Sequence, residues 1–144
     1  MYATIVVGAN GTNTSKGAVA AAAGLAKAHD ATVHVVWAFK PVAAMAMADA
    51  AAAAAMPTDA ELYARVSEEL DRIVADLGRE GVKAQAHASP AAAPQAILDC
   101  AKEHDADLIV VGNKGMKGAR RVLGSVPNTI AHHATCAVLI VPTS

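Results

Sequence analysis

The chain has 144 residues, a formal net charge of −1 and 54% hydrophobic side chains, of which few are aromatic. That length implies one domain, residues 1–144, able to bury a core of its own from aliphatic and alanine side chains. A charge near zero gives no overall attraction to nucleic acid or to a membrane surface, and no apolar run approaches the ~18 residues of a membrane span.

The elements follow in chain order. Ala3-Thr-Ile-Val-Val7 reads as the first strand, with no charged leader and cleavage site before it, so a cytoplasmic protein is expected. Residues from about Thr14 to His29 read as an alanine-rich helix with Lys27 and His29 in its last turn. Ala31–Phe39 is β-branched and reads as the second strand; residues 42–56, nearly all alanine and methionine, do not decide between loop and helix. Thr58-Asp-Ala-Glu61 is a capping-box pattern. The helix it opens carries Leu62, Val66, Leu70, Ile73, Val74 and Leu77 on one face. Glu61–Arg65 and Glu68–Arg72 stand as i,i+4 pairs on the other face, and Gly78 or Gly81 ends the helix. Val82–His87 is a weak third strand, Ser89–Ala93 a loop, and Pro94 suits the first turn of a helix running to about His104. Asp107–Val111 is the clearest strand. Ser125 caps a helix to about Ala134, and Ala137–Val141 is the fifth strand, stopped by Pro142. Alternating strands and helices predict an α/β fold, a parallel sheet with helices on both faces, doubly wound through right-handed crossovers.

Two strand ends are unusually polar and rich in glycine. The first strand runs into Gly8-Ala-Asn-Gly-Thr-Asn-Thr-Ser15, and the fourth into VVGNKGMKGARRVLGSVPNTI, residues 110–130. The second stretch has Gly112, Gly115, Gly118 and Gly124, the basic residues Lys114, Lys117, Arg120 and Arg121, and no Asp or Glu from Gly112 to Asn128. Glycine lets backbone N–H groups approach an anion, successive N–H groups form anion-binding nests, and a helix start adds donors and a positive dipole end. Together these describe a phosphate cradle; the competing reading is a tight surface loop with solvated basic side chains. No GxxxxGK[ST] and no GxGxxG occurs, so neither a P-loop nor a dinucleotide fingerprint is present. In a doubly wound sheet the two loops share one crevice if the first and fourth strands are neighbours.

These residues also carry a resemblance. IVVGANGTNTSKGAV, DADLIVVGNKG and GSVPNTIAHHATCAVLIVP resemble the opening strand and loop, the fourth strand, and the final helix and strand of the universal stress protein family, UspA-like, over the whole chain. The resemblance implies an adenine nucleotide alpha hydrolase-like fold, one five-stranded parallel sheet in the order 3-2-1-4-5. It implies ATP or a related adenine nucleotide, AMP or cAMP, between strands one and four. It implies a homodimer through the last strand and stress-related regulatory work, with no nucleic-acid or membrane partner. Slow ATP hydrolysis and a nucleotide-free dimer acting by protein contact are the alternatives, and no catalytic residue is assigned.

The family's nucleotide motif G-x2-G-x9-G-[ST] is matched by Gly112-x2-Gly115 and Gly124-Ser125, with eight residues, Met116–Leu123, in place of nine. The implied roles are a phosphate cradle at Gly112, Gly115, Gly124, Ser125 and Val126, with Asn113 and Lys114 near ribose or phosphate. Ala9, Asn10, Gly11 and Thr12 reach the nucleotide from the first loop, and Val36 and Ala38 meet the adenine through backbone. Asn10 stands where the family has an acidic residue, and an amide is a poorer ligand for Mg²⁺.

The remaining reactive side chains attract blander readings. Cys100 and Cys136 form no CxxC pair and read as small buried apolar residues. The adjacent His132 and His133 point to different faces of a helix, and, like His29, lie near a helix C-terminus where histidine is favoured, so no metal site is assigned. Ser15 and Ser125 have no G-x-S-x-G elbow around them. Trp37 reads as core, or as a neighbour of the adenine pocket. Met45, Met47 and Met56 read as an ordinary loop or a lid.

Overall fold

A computed structural model of the chain describes residues 1–39, 54, 57–113 and 125–142. Strands and helices alternate: β1 (Thr4–Gly8), α1 (Asn13–His29), β2 (Thr32–Ala38), α2 (Asp59–Arg79), β3 (Lys83–Ser89), α3 (Ala93–Glu103), β4 (Leu108–Gly112), α4 (Val126–His133) and β5 (Ala137–Val141). The sheet order is β3-β2-β1-β4-β5, and every pair is parallel. β1 therefore lies at the centre, with Val6 opposite His34 of β2 on one side and Ile109 of β4 on the other.

The sheet is covered on both faces, as the alternation predicts. Ile5, Val7, Val33, Val35, Leu108 and Val110 meet Ala18, Ala22 and Ala26 of α1 and Val66, Leu70 and Leu77 of α2. Val6, Val36, Ile109 and Val111 project to the opposite face, against Ala96, Ile97 and Ala101 of α3 and Ile130 of α4. The strict alternation along each strand is the pleat. Strands buried on both sides become near-continuous Val/Ile runs, which is why β1 and β4 are so plain in the sequence.

Local chemistry sets the helix ends. Thr58 Oγ1 accepts from the Glu61 amide at 3.1 Å, and the Glu61 carboxylate accepts from the Thr58 amide at 3.1 Å, so both halves of the capping box form. This draws Glu61 into the cap, and the expected Glu61–Arg65 pair is absent among the described ion pairs, while Arg72 reaches Glu68 at 3.1 Å and also Glu69. Gly78 lies inside α2; the chain turns instead at Gly81, whose φ of +84° suits glycine. β3 runs two residues past the expected His87, because Trp37 and Ala38 extend the pairing to Ala88 and Ser89. Its alternating small and polar residues on a half-exposed edge gave only a faint signal. The alanine–methionine stretch at 42–56, with Met45, Met47 and Met56, lies outside the described residues except for position 54.

One polar island interrupts the second core. His34 sits between valines in β2 and is only 4% exposed. Its ring stacks on His104, the residue that ends α3, at 4.1 Å between centroids, and its Nδ1 is 2.8 Å from His87 Nε2 on β3. Cys100, buried one turn before His104, completes the group. Burial first, and then the neighbouring His104 and His87, push the His34 pKa down to about 4. His87 is also lowered, by burial and by His104, against an opposing pull from Glu103. Burial and Glu103 push the Cys100 thiol up to about 12.

Two stability measurements test this reading. Removing the cap oxygen in Thr58→Ala is expected to cost about 1 kcal/mol in urea unfolding, with the cooperative slope unchanged. For His34, the unfolded chain takes up a proton near the usual 6.5 while the folded chain takes it up only near 4. Stability is therefore lost as pH falls through that window. With EDTA present, this one group is expected to cost about 2 kcal/mol between about pH 7 and about pH 5. His34→Gln should flatten the pH dependence by that amount; an unchanged slope would remove His34 as its source.

Candidate functional site

In this topology β1 connects to β2 on one side, while β4 lies on the other, so the order reverses between β1 and β4. Ligands of open parallel sheets sit outside the carboxyl ends of the strands at such a reversal. Both glycine-rich strand ends converge there: Ala9–Thr12 follows β1, and Asn113 follows β4.

The first loop is built around Asn10 and Thr12. The Asn10 side-chain oxygen accepts from the Thr12 amide at 3.1 Å and from the Thr12 hydroxyl at 2.6 Å. Thr12 Oγ1 in turn accepts from the Ser15 amide at 3.3 Å and caps α1. The buried Ser15 hydroxyl donates to the Thr12 carbonyl at 3.0 Å and accepts from the Asn10 amide at 3.2 Å. Gly11 holds φ at +77°, and a Cβ there would come 3.0 Å from Trp37 Cη2. Trp37 packs on the first core, and its ring edge also lies against the loop. The Ser15 hydroxyl thus serves the loop's own structure at both its donor and an acceptor position.

The other wall rests on Gly112. A Cβ at this position would lie 2.4 Å from Thr14 Cγ2 and 3.0 Å from the Thr14 carbonyl oxygen. Only glycine lets the first turn of α1 approach the end of β4 this closely. Just beyond, the Asn113 amide donates to the Val141 carbonyl at 3.0 Å, which ties the start of the loop to β5. At the start of α4, Ser125 is buried, and its hydroxyl accepts from the Asn128 amide at 3.3 Å to cap the helix. Pro127 brings no N–H, so among the first three residues of α4 the Val126 amide is the donor that the cap does not use. Val36 and Ala38 lie at the carboxyl end of β2, as expected, but the Val36 carbonyl already accepts from the Ala9 amide at 2.8 Å. That bond fastens the first loop to β2 and leaves Ala38 the better placed of the two to present free backbone. Lys114, Gly115 and Gly124 lie outside the described residues.

The residues that sequence reasoning did not assemble are His34, His87, Cys100 and His104. Their ligand atoms all lie within 4.8 Å of one another, among the described residues the one such grouping of three or more His, Cys, Asp or Glu. The cluster belongs to the α3 face of the sheet and shares no residue with the crevice. His132 and His133, by contrast, are exposed. The available signal was Cys100-x3-His104, an i,i+4 pair on one face of α3. A groove of about 370 Å³ opens between α3 and the α4–β5 turn, past Lys102, His133 and Cys136, and it too touches none of the crevice residues.

The profile of the universal stress protein family matches residues 1–142. Universal stress protein Rv1636 of Mycobacterium tuberculosis is 34% identical over 149 aligned positions, which cover 99% of this chain and 98% of that protein. Other curated relatives are matched over less of themselves: the chain spans 53% and 44% of two Synechocystis proteins and 47% of one from Mycolicibacterium smegmatis. Among solved structures, a universal stress protein in complex with cAMP superposes with a TM-score of 0.75 at 30% identity, covering 99% of this chain and 98% of that one. An Archaeoglobus fulgidus universal stress protein in complex with dAMP shares the fold with a TM-score of 0.69 at 23% identity, covering 96% and 97%. With a profile match across nearly all its length and a full-length relative above 30% identity, the chain belongs to the universal stress protein family.

Proposed function

We propose that the chain binds an adenine nucleotide in the crevice between the carboxyl ends of β1 and β4, and that occupancy, rather than turnover, is its output. The observation that carries this reading is the convergence of two glycine-rich strand ends at the one reversal of strand order, with Gly112 holding α1 against β4. The relative solved with cAMP, at 30% identity, supports the ligand class.

In this reading Gly112, Gly115, Gly124, Ser125 and the Val126 amide receive the phosphates. Asn113 and Lys114 approach ribose or phosphate, and Ala9, Asn10, Gly11 and Thr12 close the site from β1. Ala38, with Val36 behind it, borders the base. The positive end of α4 and the basic residues of 114–121 favour an anion. Asn10 supplies an amide oxygen already shared with two Thr12 donors, so the site calls for little or no Mg²⁺. Without an acid to orient water, slow hydrolysis is the weaker reading. A monophosphate such as cAMP or AMP is a variant of this reading, since one phosphate needs less cradle than three. Pairing of two chains through β5 would cover an edge whose Leu139 is 38% exposed. A cytoplasmic, stress-linked regulatory role completes the proposal.

Calorimetric titration of nucleotide-stripped protein with ATP, AMP and cAMP, each with and without Mg²⁺, tests it. At least one nucleotide is expected to bind in the micromolar range, about −8 kcal/mol, with no Mg²⁺ requirement. Binding of none of the three would overturn the reading. Asn10→Asp keeps the one acceptor oxygen that takes both Thr12 donors while adding a charge, so it should fold normally, weaken ATP alone and make ATP binding Mg²⁺-dependent. If Asn10→Asp binds ATP as the wild type does under both conditions, Asn10 is not at the phosphates.

A further inference from the structure

We propose that His34, His87, Cys100 and His104 form a binding site for a borderline-soft divalent cation, Zn²⁺ foremost, separate from the nucleotide crevice and independent of whether a nucleotide binds there. Four side chains from three elements converge so that their ligand atoms lie within 4.8 Å of one another. Three imidazoles and one thiolate are a donor set suited to tetrahedral Zn²⁺, with ligand distances of about 2.0–2.3 Å. Closing on an ion at those distances replaces the 2.8 Å His34–His87 hydrogen bond and turns the stacked His34 and His104 rings toward a common centre.

The fold places each ligand for a definite reason. The β2–β3 register sets Val36 opposite His87, so His87 shares the face on which His34 and Val36 lie. Cys100 and His104 stand one turn apart on α3, and α3 packs on that same face of the sheet. Aliphatic residues surround the group, with Val6, Val36, Ile97 and Ile109 in the same core. A valine or leucine at position 34 would suit that core with no desolvation cost, so three imidazoles and a thiol gathered there need a chemical reason. His87 and His104 are only half-buried, on the side of the edge strand β3, which leaves an ion a way in. Of the charged groups around the cluster, Glu103 acts on both His87 and Cys100, and its carboxylate would offset the charge of a bound cation. Binding is balanced as one Zn²⁺ taken up, one S–Zn and three N–Zn bonds formed, and the Cys100 thiol proton released to solvent.

Cobalt(II) is the probe. Reduced, full-length protein freed of metal by chelator and desalting is titrated with Co²⁺ and followed by visible and near-ultraviolet absorption. The expected result is an intense tetrahedral ligand-field spectrum with a thiolate-to-cobalt charge-transfer band, saturating at one equivalent and bleached by Zn²⁺. Cys100→Ser should abolish the charge-transfer band, His87→Gln should weaken Co²⁺ binding, and Cys136→Ser should leave the spectrum unchanged. Circular dichroism confirms that each variant is folded. Wild-type protein that gives no thiolate band, or gives it equally after Cys100→Ser, overturns the site. A weak octahedral spectrum lost on changing His132 and His133 to alanine overturns it too, because the metal is then on the exposed pair.

Discussion

The approach of α1 to the end of β4 over Gly112 is the constraint on which the crevice depends. Thr14 occupies the space where any other residue at 112 would put its Cβ. The first turn of α1 thereby sits directly beside the strand that lies across the order reversal from β2. Thr12, which caps that turn, is held by Asn10, and the Ala9 amide is held by Val36 of β2. One absent Cβ thus sets how closely the first turn of α1 sits on the end of β4, and a short relay of hydrogen bonds ties that turn to β2.

The two faces of the sheet solve different problems. The α1 face is filled by alanine and branched aliphatics, which lets the helix lie close and brings Thr14 to Gly112. The α3 face is built of valine, isoleucine, alanine and Cys100, and it tolerates a cluster of imidazoles at its border with the edge strand. Such a cluster lowers stability at mildly acidic pH, because desolvated rings resist protonation in the folded state. The first face is built to position the crevice, and the second carries ionisable chemistry that the crevice does not use.

Much of this was legible in the residues. The alternation of short Val/Ile runs with helical stretches sufficed for a doubly wound parallel sheet, because strands covered on both sides lose their polar face and stand out. Thr58–Glu61 and Ser125 announced their helix starts, because caps demand particular residue types. Other features depend on tertiary neighbours. Glu61 had two local partners to choose between, Thr58 and Arg65, and only the folded cap decides. The last two residues of β3 are strand because β2 is there to pair with them. The Val36 carbonyl is taken by Ala9, which no local pattern could indicate. The His34–His87–Cys100–His104 cluster joins residues from three elements, and register and helix docking, rather than spacing along the chain, bring them together.

The central claim is that the β1 and β4 ends form one nucleotide site. Backbone amide NMR of ¹⁵N-labelled protein, titrated with the tightest-binding adenine nucleotide, tests it most directly. Shifts confined to Ala9–Thr12, Trp37–Ala38, Asn113 and Ser125–Asn128, with the α3 amides still, are the predicted result. Shifts centred on the groove beside Lys102 and Cys136, with the two strand ends unmoved, would contradict it.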